Sequence, residues 1–198
     1  MKIIYKFVIV LSCVGIVTSC KQEAMPKPKA YLALNYPDAV YKTENIKKMP
    51  FTFKRNVLGK NLKTKTLKGE TTSYGINIEY PELKGTIYIT YKAIDKSKKL
   101  LTTFLKNAQN FTQEHTRKAN GIEEIVFENP EQNVYGMFYD VGGNAASQSQ
   151  FYVTDSTNHF ITGSLYFFAK PNYDSILPAA HYLRKDIKTI METLKWKP

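Results

Sequence analysis

Apolar and polar residues alternate in several short stretches of the chain, and such alternation predicts β-strands with one buried face. Two of these stretches, 76–80 and 87–91, are separated by a turn that contains proline and glycine, and they predict a hairpin. Aromatic residues at 31–34 and 51–54 predict two further strands. Residues 56–72 are rich in lysine and show no clear period, so they predict an exposed loop or an irregular hairpin.

The spacing of apolar residues changes to that of a helix after Asp95. One stripe at intervals of three and four is formed by Leu101, Phe104, Leu105, Ala108, Phe111 and His115. Asn120-Gly121 is expected to end this helix, and His115 is expected to be a partly buried histidine near the helix end.

A second helical stripe is formed by Ile176, Ala180, Leu183, Ile187, Ile190 and Leu194. Its helix is expected to begin at Asp174 or Ser175, either of which can act as an N-cap. This start would place Pro178 in the first turn, where proline is tolerated. The apolar stripe is expected to pack on the sheet.

Four segments between the two helices predict strands, at 122–128, 134–141, 150–154 and 159–168. Because their connections are short, they predict an antiparallel meander. The last segment is apolar on both faces, so it predicts a central strand that is covered by a helix on each side. The fold class is therefore α+β, with an antiparallel sheet of about six strands and helices packed on its faces.

The first residues of the chain predict export and lipid anchoring. Lys2 and Lys6 precede an apolar run that is too short to span a membrane and that ends in Val17-Thr18-Ser19-Cys20. This ending resembles the bacterial lipobox, in which the cysteine is acylated. We therefore predict a signal peptide at 1–19 and lipidation of Cys20. Cys13 and an ordinary cleaved signal are the alternatives.

Residues 20–30 contain prolines and lysines and predict an extended tether, so residues 31–198 form a single α/β domain in this interpretation. The tether lacks the acidic cluster that marks many surface-exported bacterial lipoproteins. The domain is accordingly expected in the periplasm, held to a membrane of the cell envelope by its anchor. The sequence leaves inner and outer membrane both open.

The net charge of +11 is unevenly distributed. Residues 42–68 contain nine basic residues and one acid, whereas residues 119–169 contain six acids and no lysine or arginine. Because exported proteins rarely meet nucleic acid, the basic segment predicts contact with anionic lipid headgroups or an acidic partner. A solvated loop is the alternative. The candidate patch consists of Lys47, Lys48, Lys54, Arg55, Lys60, Lys63 and Lys65.

No motif in the chain indicates a reaction. The only cysteines lie in the first twenty residues, which excludes a disulfide framework, a thiolate metal site and a cysteine nucleophile from the domain. Asp155, Ser156 and His159 resemble a hydrolytic set, but triads gather their members from distant segments, and the nucleophile-elbow motif is missing. No pair of histidines has the spacing of metal ligands. We predict no catalytic residue, no metal and no cofactor.

The same polar turns are candidates for contact with a protein partner. Gly142-Gly143-Asn144 is not followed by a phosphate-binding helix, so a nucleotide loop is disfavoured. The predicted contact residues are Gly142, Gly143, Asn144, Ser147, Gln148, Asp155, Ser156 and His159.

Several longer segments resemble the GldD family of gliding-motility lipoproteins of Bacteroidota. They include INIEYP, VYGMFYDVGGNAAS, QFYVTDSTNHFITGSLYF and PNYDSILPAAHYLRKDI, in that order along the chain. The resemblance implies a role in gliding motility and in the linked type IX secretion system, with other proteins of that machinery as partners, and it assigns no enzymatic residues. The order of elements is similar to the PsbP/Mog1 type of sandwich. The alternative function is a periplasmic module that binds lipid or peptide between sheet and helices.

Overall fold

The computed structural model describes residues 34–114, 119–168 and 173–198. The predicted signal peptide, Cys20, the tether, most of the strand predicted at 31–34 and His115 lie outside these residues. The elements are β1 (Tyr41–Glu44), β2 (Phe51–Asn56), β3 (Lys60–Leu67), β4 (Ser73–Tyr80), β5 (Gly85–Ala93), α1 (Lys98–Glu114), β6 (Ala119–Asn129), β7 (Val134–Gly143), β8 (Ser147–Thr154), β9 (His159–Phe167), α2 (Tyr173–Thr193) and β10 (Lys195–Trp196).

The described residues form an α+β fold, as predicted, but the strand count differs. The main sheet has seven strands in the order β3-β4-β5-β9-β8-β7-β6, and every neighbouring pair is antiparallel. The expected hairpin is β4–β5, and the expected meander is β6–β7–β8–β9. The additional strand is β3, which occupies the lysine-rich segment and pairs with β4 through an irregularity between Lys60 and Lys63. The similarity to the PsbP/Mog1 sandwich stays a prediction.

Strand β9 is the fourth of the seven strands, so it is central, as the two apolar faces of its sequence predicted. Ile161 and Leu165 belong to the larger core, which α2 covers with Leu183 and Ile187. On the other face Phe160 contacts Phe104 of α1, with ring centroids 5.7 Å apart. Each helix stripe therefore packs on its own face of the sheet.

Strands β1, β2 and β10 form a second, three-stranded sheet that the sequence did not predict as a unit. In it Trp196, near the end of the chain, pairs with Phe51 of β2. Because two of its three strands have four residues or fewer, their sequence pattern is too short to be recognised. Phe51 and Phe53 of β2 are buried in the larger core together with residues of α2, so this sheet contributes to that core.

Two predicted boundaries were wrong. Asn120-Gly121 does not end α1, because the described part of that helix stops at Glu114 and both residues lie within β6. Pro178 lies inside α2 rather than in its first turn, because the helix already begins at Tyr173. Neither helix of the described residues is long and apolar enough to span a membrane.

Candidate functional site

The connection between β7 and β8, together with the strand ends that flank it, carries five of the predicted contact residues, and its conformation is fixed from within. Gly143 has a φ of +86°, and a Cβ there would lie 2.7 Å from the backbone nitrogen of Asn120. The Gln148 amide donates hydrogen bonds to the carbonyls of Gly143, at 3.3 Å, and Ala145, at 2.8 Å. A residue with a side chain at position 143 would therefore clash with β6 and require a strained backbone.

The five residues differ in accessibility. Ser147 and Gln148 are buried, so their side chains support the connection from inside. Asn144 and Ala146 are exposed, and Gly142 is partly exposed. A partner that approached this connection would meet Asn144 and Ala146 first.

A cleft of about 460 Å³ lies beside this connection, between strands β6–β8 and the first half of α2. Its lining includes the polar or charged residues Glu123, Asp140, Gln148, His181 and Arg184 and the apolar residue Leu177. The strands supply its acids and α2 supplies its basic groups, because residues 119–168 contain no lysine or arginine.

One ion pair crosses the cleft. The guanidinium of Arg184 forms an ion pair with the Asp140 carboxylate, and both side chains are partly exposed. Burial, reinforced by the nearby charge of Arg184, lowers the pKa of His181, so this imidazole is neutral at neutral pH. A cleft with both charge signs and an apolar wall from Leu177 suits a polar contact with another molecule.

The second predicted contact segment, 155–159, is a tight turn held by the Asp155 carboxylate. One oxygen of Asp155 accepts hydrogen bonds from the backbone N–H groups of Thr157 at 2.9 Å, Asn158 at 2.8 Å and His159 at 2.8 Å. Ser156 is exposed, with a left-handed φ of 63°. Asp155 therefore stabilises the turn that joins β8 to β9.

The imidazole of His159 belongs to an aromatic cluster. Its Nδ1 is 2.9 Å from the Tyr91 hydroxyl, and its ring stacks on Trp196 with centroids 4.9 Å apart. Burial lowers the pKa of His159, and the charges of Asp155 and Asp95 oppose this effect. Among the described residues no hydrogen bond joins the Ser156 hydroxyl to this ring, so the hydrolytic arrangement of a triad is not formed.

The predicted basic patch is divided between the two sheets. Arg55 lies in β2, is buried and donates two hydrogen bonds to Glu44, at 2.7 and 3.0 Å. Because it is buried, Arg55 cannot be part of an exposed patch. Lys47, Lys48 and Lys54 are exposed near this smaller sheet.

The remaining lysines of the patch lie on β3, at the edge of the seven-stranded sheet. Lys60 pairs with Glu82 at 3.0 Å and Lys63 with Glu79 at 2.6 Å, and Lys65 is exposed. Such exposed pairs contribute little to stability.

A buried polar cluster around Asp186 was missed by the sequence analysis. Its carboxylate accepts hydrogen bonds from the Tyr41 hydroxyl, at 2.7 Å, and from the Asn56 amide. Burial raises the pKa of Asp186, and these hydrogen bonds act in the opposite direction. The signal was present, because Asp186 follows Leu183 by three residues and therefore lies within the apolar stripe of α2. The cluster ties α2 to β2.

Among the described residues, no group of three or more His, Cys, Asp or Glu side chains is placed to hold a metal ion. The Gln148 and Asp155 side chains at the two polar turns accept from or donate to backbone groups.

Comparison with known protein families identifies the chain. The sequence profile described as gliding motility lipoprotein GldD matches residues 21–196. The chain belongs to the GldD family of gliding motility lipoproteins. Its family implies a lipid-anchored location in the cell envelope. Comparisons with curated proteins and with solved structures gave no match.

Proposed function

We propose that this GldD-family lipoprotein is an accessory or assembly component of the gliding machinery that is linked to type IX secretion and has no catalytic activity of its own. The observation that carries the proposal is the family match over residues 21–196. The geometry supports it, because Asp155, Ser156 and His159 are engaged in a turn and an aromatic cluster.

The process is tested by deleting the gene in its own host and restoring it on a plasmid. Deletion should abolish colony spreading and reduce type IX secretion, and both the wild-type gene and a Ser156→Ala variant should restore them. Unchanged spreading and secretion after deletion would reject a role in this process. Failure of Ser156→Ala at normal protein level, together with labelling of Ser156 by a serine-reactive probe, would favour an enzyme.

We infer that contact with other envelope proteins is made by the exposed β7–β8 connection and the adjoining cleft. Asn144 and Ala146 are its accessible tip, and the Arg184–Asp140 pair lies in the cleft wall. A photo-crosslinking amino acid at position 146 should capture a discrete protein in living cells. The same amino acid at Gln109, an exposed position on α1, is the matched control. Equal labelling from both positions would contradict this surface.

The anchor is proposed at Cys20, with the domain in the periplasm. Cys20→Ala should stop the incorporation of labelled palmitate. Washing should remove the variant from membranes more readily than the wild type, because the acyl chains that hold the wild type to the bilayer are missing. Incorporation that persists in Cys20→Ala but disappears in Cys13→Ala would move the anchor to Cys13.

A second candidate function is ligand binding. It is favoured by two cavities of about 280 and 290 Å³ on the α1 side of the sheet, which share the lining residues Lys92, Phe104 and Asn107. Native mass spectrometry of the lipoprotein purified from its own host should then show a bound small molecule. The mass of the acylated chain alone would count against it.

A further inference from the structure

Helix α1 covers only part of its face of the seven-stranded sheet and leaves a cavity between itself and strands β5, β8 and β9. The cavity measures about 280 Å³, close to the lower end of the ~300–1,000 Å³ that is usual for ligand sites. One wall is apolar and is formed by Phe104 and Phe160. The sheet also contributes Thr90 and Thr162 to the lining, and these two residues are direct cross-strand partners.

The lining of this cavity contains a cation and no acid among the described residues. The cation is Lys92, whose ammonium nitrogen lies 4.6 Å from the centroid of the Phe104 ring. Within the described part of the chain, Lys92 forms no ion pair with a carboxylate. Its charge is therefore held over an aromatic face beside the cavity.

A buried amide supplies a second donor. Gln150 is 2 % exposed, and its side-chain oxygen accepts a hydrogen bond from the Thr112 hydroxyl at 2.9 Å. Its amide nitrogen is buried and has no hydrogen-bond partner in the described ranges. An unsatisfied buried donor costs about 1–3 kcal/mol, so an acceptor atom that entered the cavity would find this group already desolvated.

We propose that this cavity binds a small organic anion, with an apolar body against Phe104 and Phe160, an anionic oxygen at Lys92 and an acceptor oxygen at the Gln150 amide. The proposal rests on the second candidate function and names its ligand class. It follows from the donor set: a cation, an amide and hydroxyl groups line the cavity, and none of the described residues that line it is a carboxylate, although Glu70 lines the adjoining cavity that shares Lys92.

The test uses the acylated full-length protein in lipid nanodiscs and two probes of nearly equal size, 3-phenylpropionate and the neutral 3-phenylpropanol. Isothermal titration calorimetry should show that the acid binds about tenfold or more tightly than the alcohol, because only the acid forms a charge-assisted hydrogen bond. Empty nanodiscs supply the blank.

Three variants localise the site. Lys92→Gln should weaken binding of the acid about tenfold and leave binding of the alcohol unchanged. Lys92→Arg should keep the affinity for the acid, because it keeps the positive charge. Lys188→Gln is the matched control, since the Lys188 ammonium also lies over a phenylalanine ring, that of Phe138, at 5.1 Å, but does not line the cavity. Gln150→Leu should weaken binding of the acid by a smaller factor. Urea unfolding of each variant verifies that it is folded.

The remaining outcomes overturn the proposal in distinguishable ways. Equal affinity for acid and alcohol, or wild-type affinity in Lys92→Gln, would show that the cavity does not select an anion through Lys92, although it would still be a ligand site. If neither probe binds but native mass spectrometry shows a neutral molecule, the ligand class is wrong and the second candidate function stands. If neither probe binds and the protein carries no molecule, both fail.

Discussion

Gly163 and Phe151 face each other on the neighbouring strands β9 and β8. A Cβ at position 163 would lie 2.0 Å from the Phe151 ring, far inside van der Waals contact. The missing side chain of Gly163 therefore makes the space that the Phe151 ring occupies, in the strand at the centre of the sheet.

Gly163→Ala should lower the free energy of unfolding by about 1–3 kcal/mol, because the ring or the backbone must move to accept the methyl group. Gly121→Ala is the matched control, since no atom lies within 4 Å of a Cβ there, and it should stay within about 1 kcal/mol of the wild type. Urea unfolding measures both. Phe151→Leu should cost less in the Gly163→Ala background than alone, and equal costs would contradict the steric account.

His159 is a residue whose sequence context pointed to chemistry and whose contacts are structural. The sequence showed an aspartate, a serine and a histidine within five residues, but it could not show that Tyr91 and Trp196 surround the imidazole. Those two residues come from strands that are remote in the chain. The sequence-based prediction against a triad rested on general features of hydrolases, whereas the structure shows the contacts that the His159 ring makes.

The lowered pKa of His159 predicts a pH dependence of stability with a definite sign. Below the unfolded pKa of about 6.5 the unfolded chain binds more protons at this residue than the folded one, so stability falls as the pH falls from about 7 to about 5. His159→Phe should reduce this slope, although it loses the hydrogen bond to Tyr91. The pKa of His181 is also lowered, so His181 contributes a pH dependence of the same sign, but it does so equally in the wild type and in His159→Phe.

Urea unfolding at the two pH values gives the slopes. The emission of Trp196, the single tryptophan of the chain, gives an independent readout, because it should titrate in the wild type and stay constant in His159→Phe. Identical slopes in both proteins would show that His159 does not titrate on unfolding.

At the scale of elements, periodicity predicted the parts of the chain that bury a regular face. The apolar stripes of α1 and α2 identified both helices, and the two apolar faces of 159–168 identified the central strand. Periodicity failed at β3, whose residues are mostly exposed at the sheet edge, so their polarity carries no alternation. It also failed for β1 and β10, which have too few residues to show a period.

The two edge strands of the main sheet carry charges that discourage pairing with other chains. On β6, Glu124 lies on the same face as Ile122 and Val126, and Val126 is 65 % exposed. Glu124→Val would leave a continuous apolar row on this edge and should cause concentration-dependent association by light scattering. Glu192→Val, at an exposed position of α2, is the matched control and should remain dispersed. Equal association of the two variants would contradict the role of the edge.

At the scale of the molecule, the charge asymmetry of the sequence appears as a spatial arrangement. The acidic segment forms four adjoining strands, β6 to β9, and the cations of the cleft come from α2. The sequence predicted the connection at 142–148 as a contact site but not the cleft, because Asp140 and Arg184 meet only after α2 returns to the sheet. Family membership indicates the cellular process, and we propose that the β7–β8 connection and its cleft are the surface through which the protein acts.

The most direct test of the central claim is colony spreading and secretion in the deletion strain after complementation with Ala146→Arg. The variant adds a bulky charge to the exposed tip of the contact surface without removing a buried group. Gln109→Arg adds the same charge to α1, and immunoblots verify the protein level. We predict that Ala146→Arg fails to restore spreading and secretion while Gln109→Arg restores both. Full restoration by Ala146→Arg would contradict a function exerted through this surface.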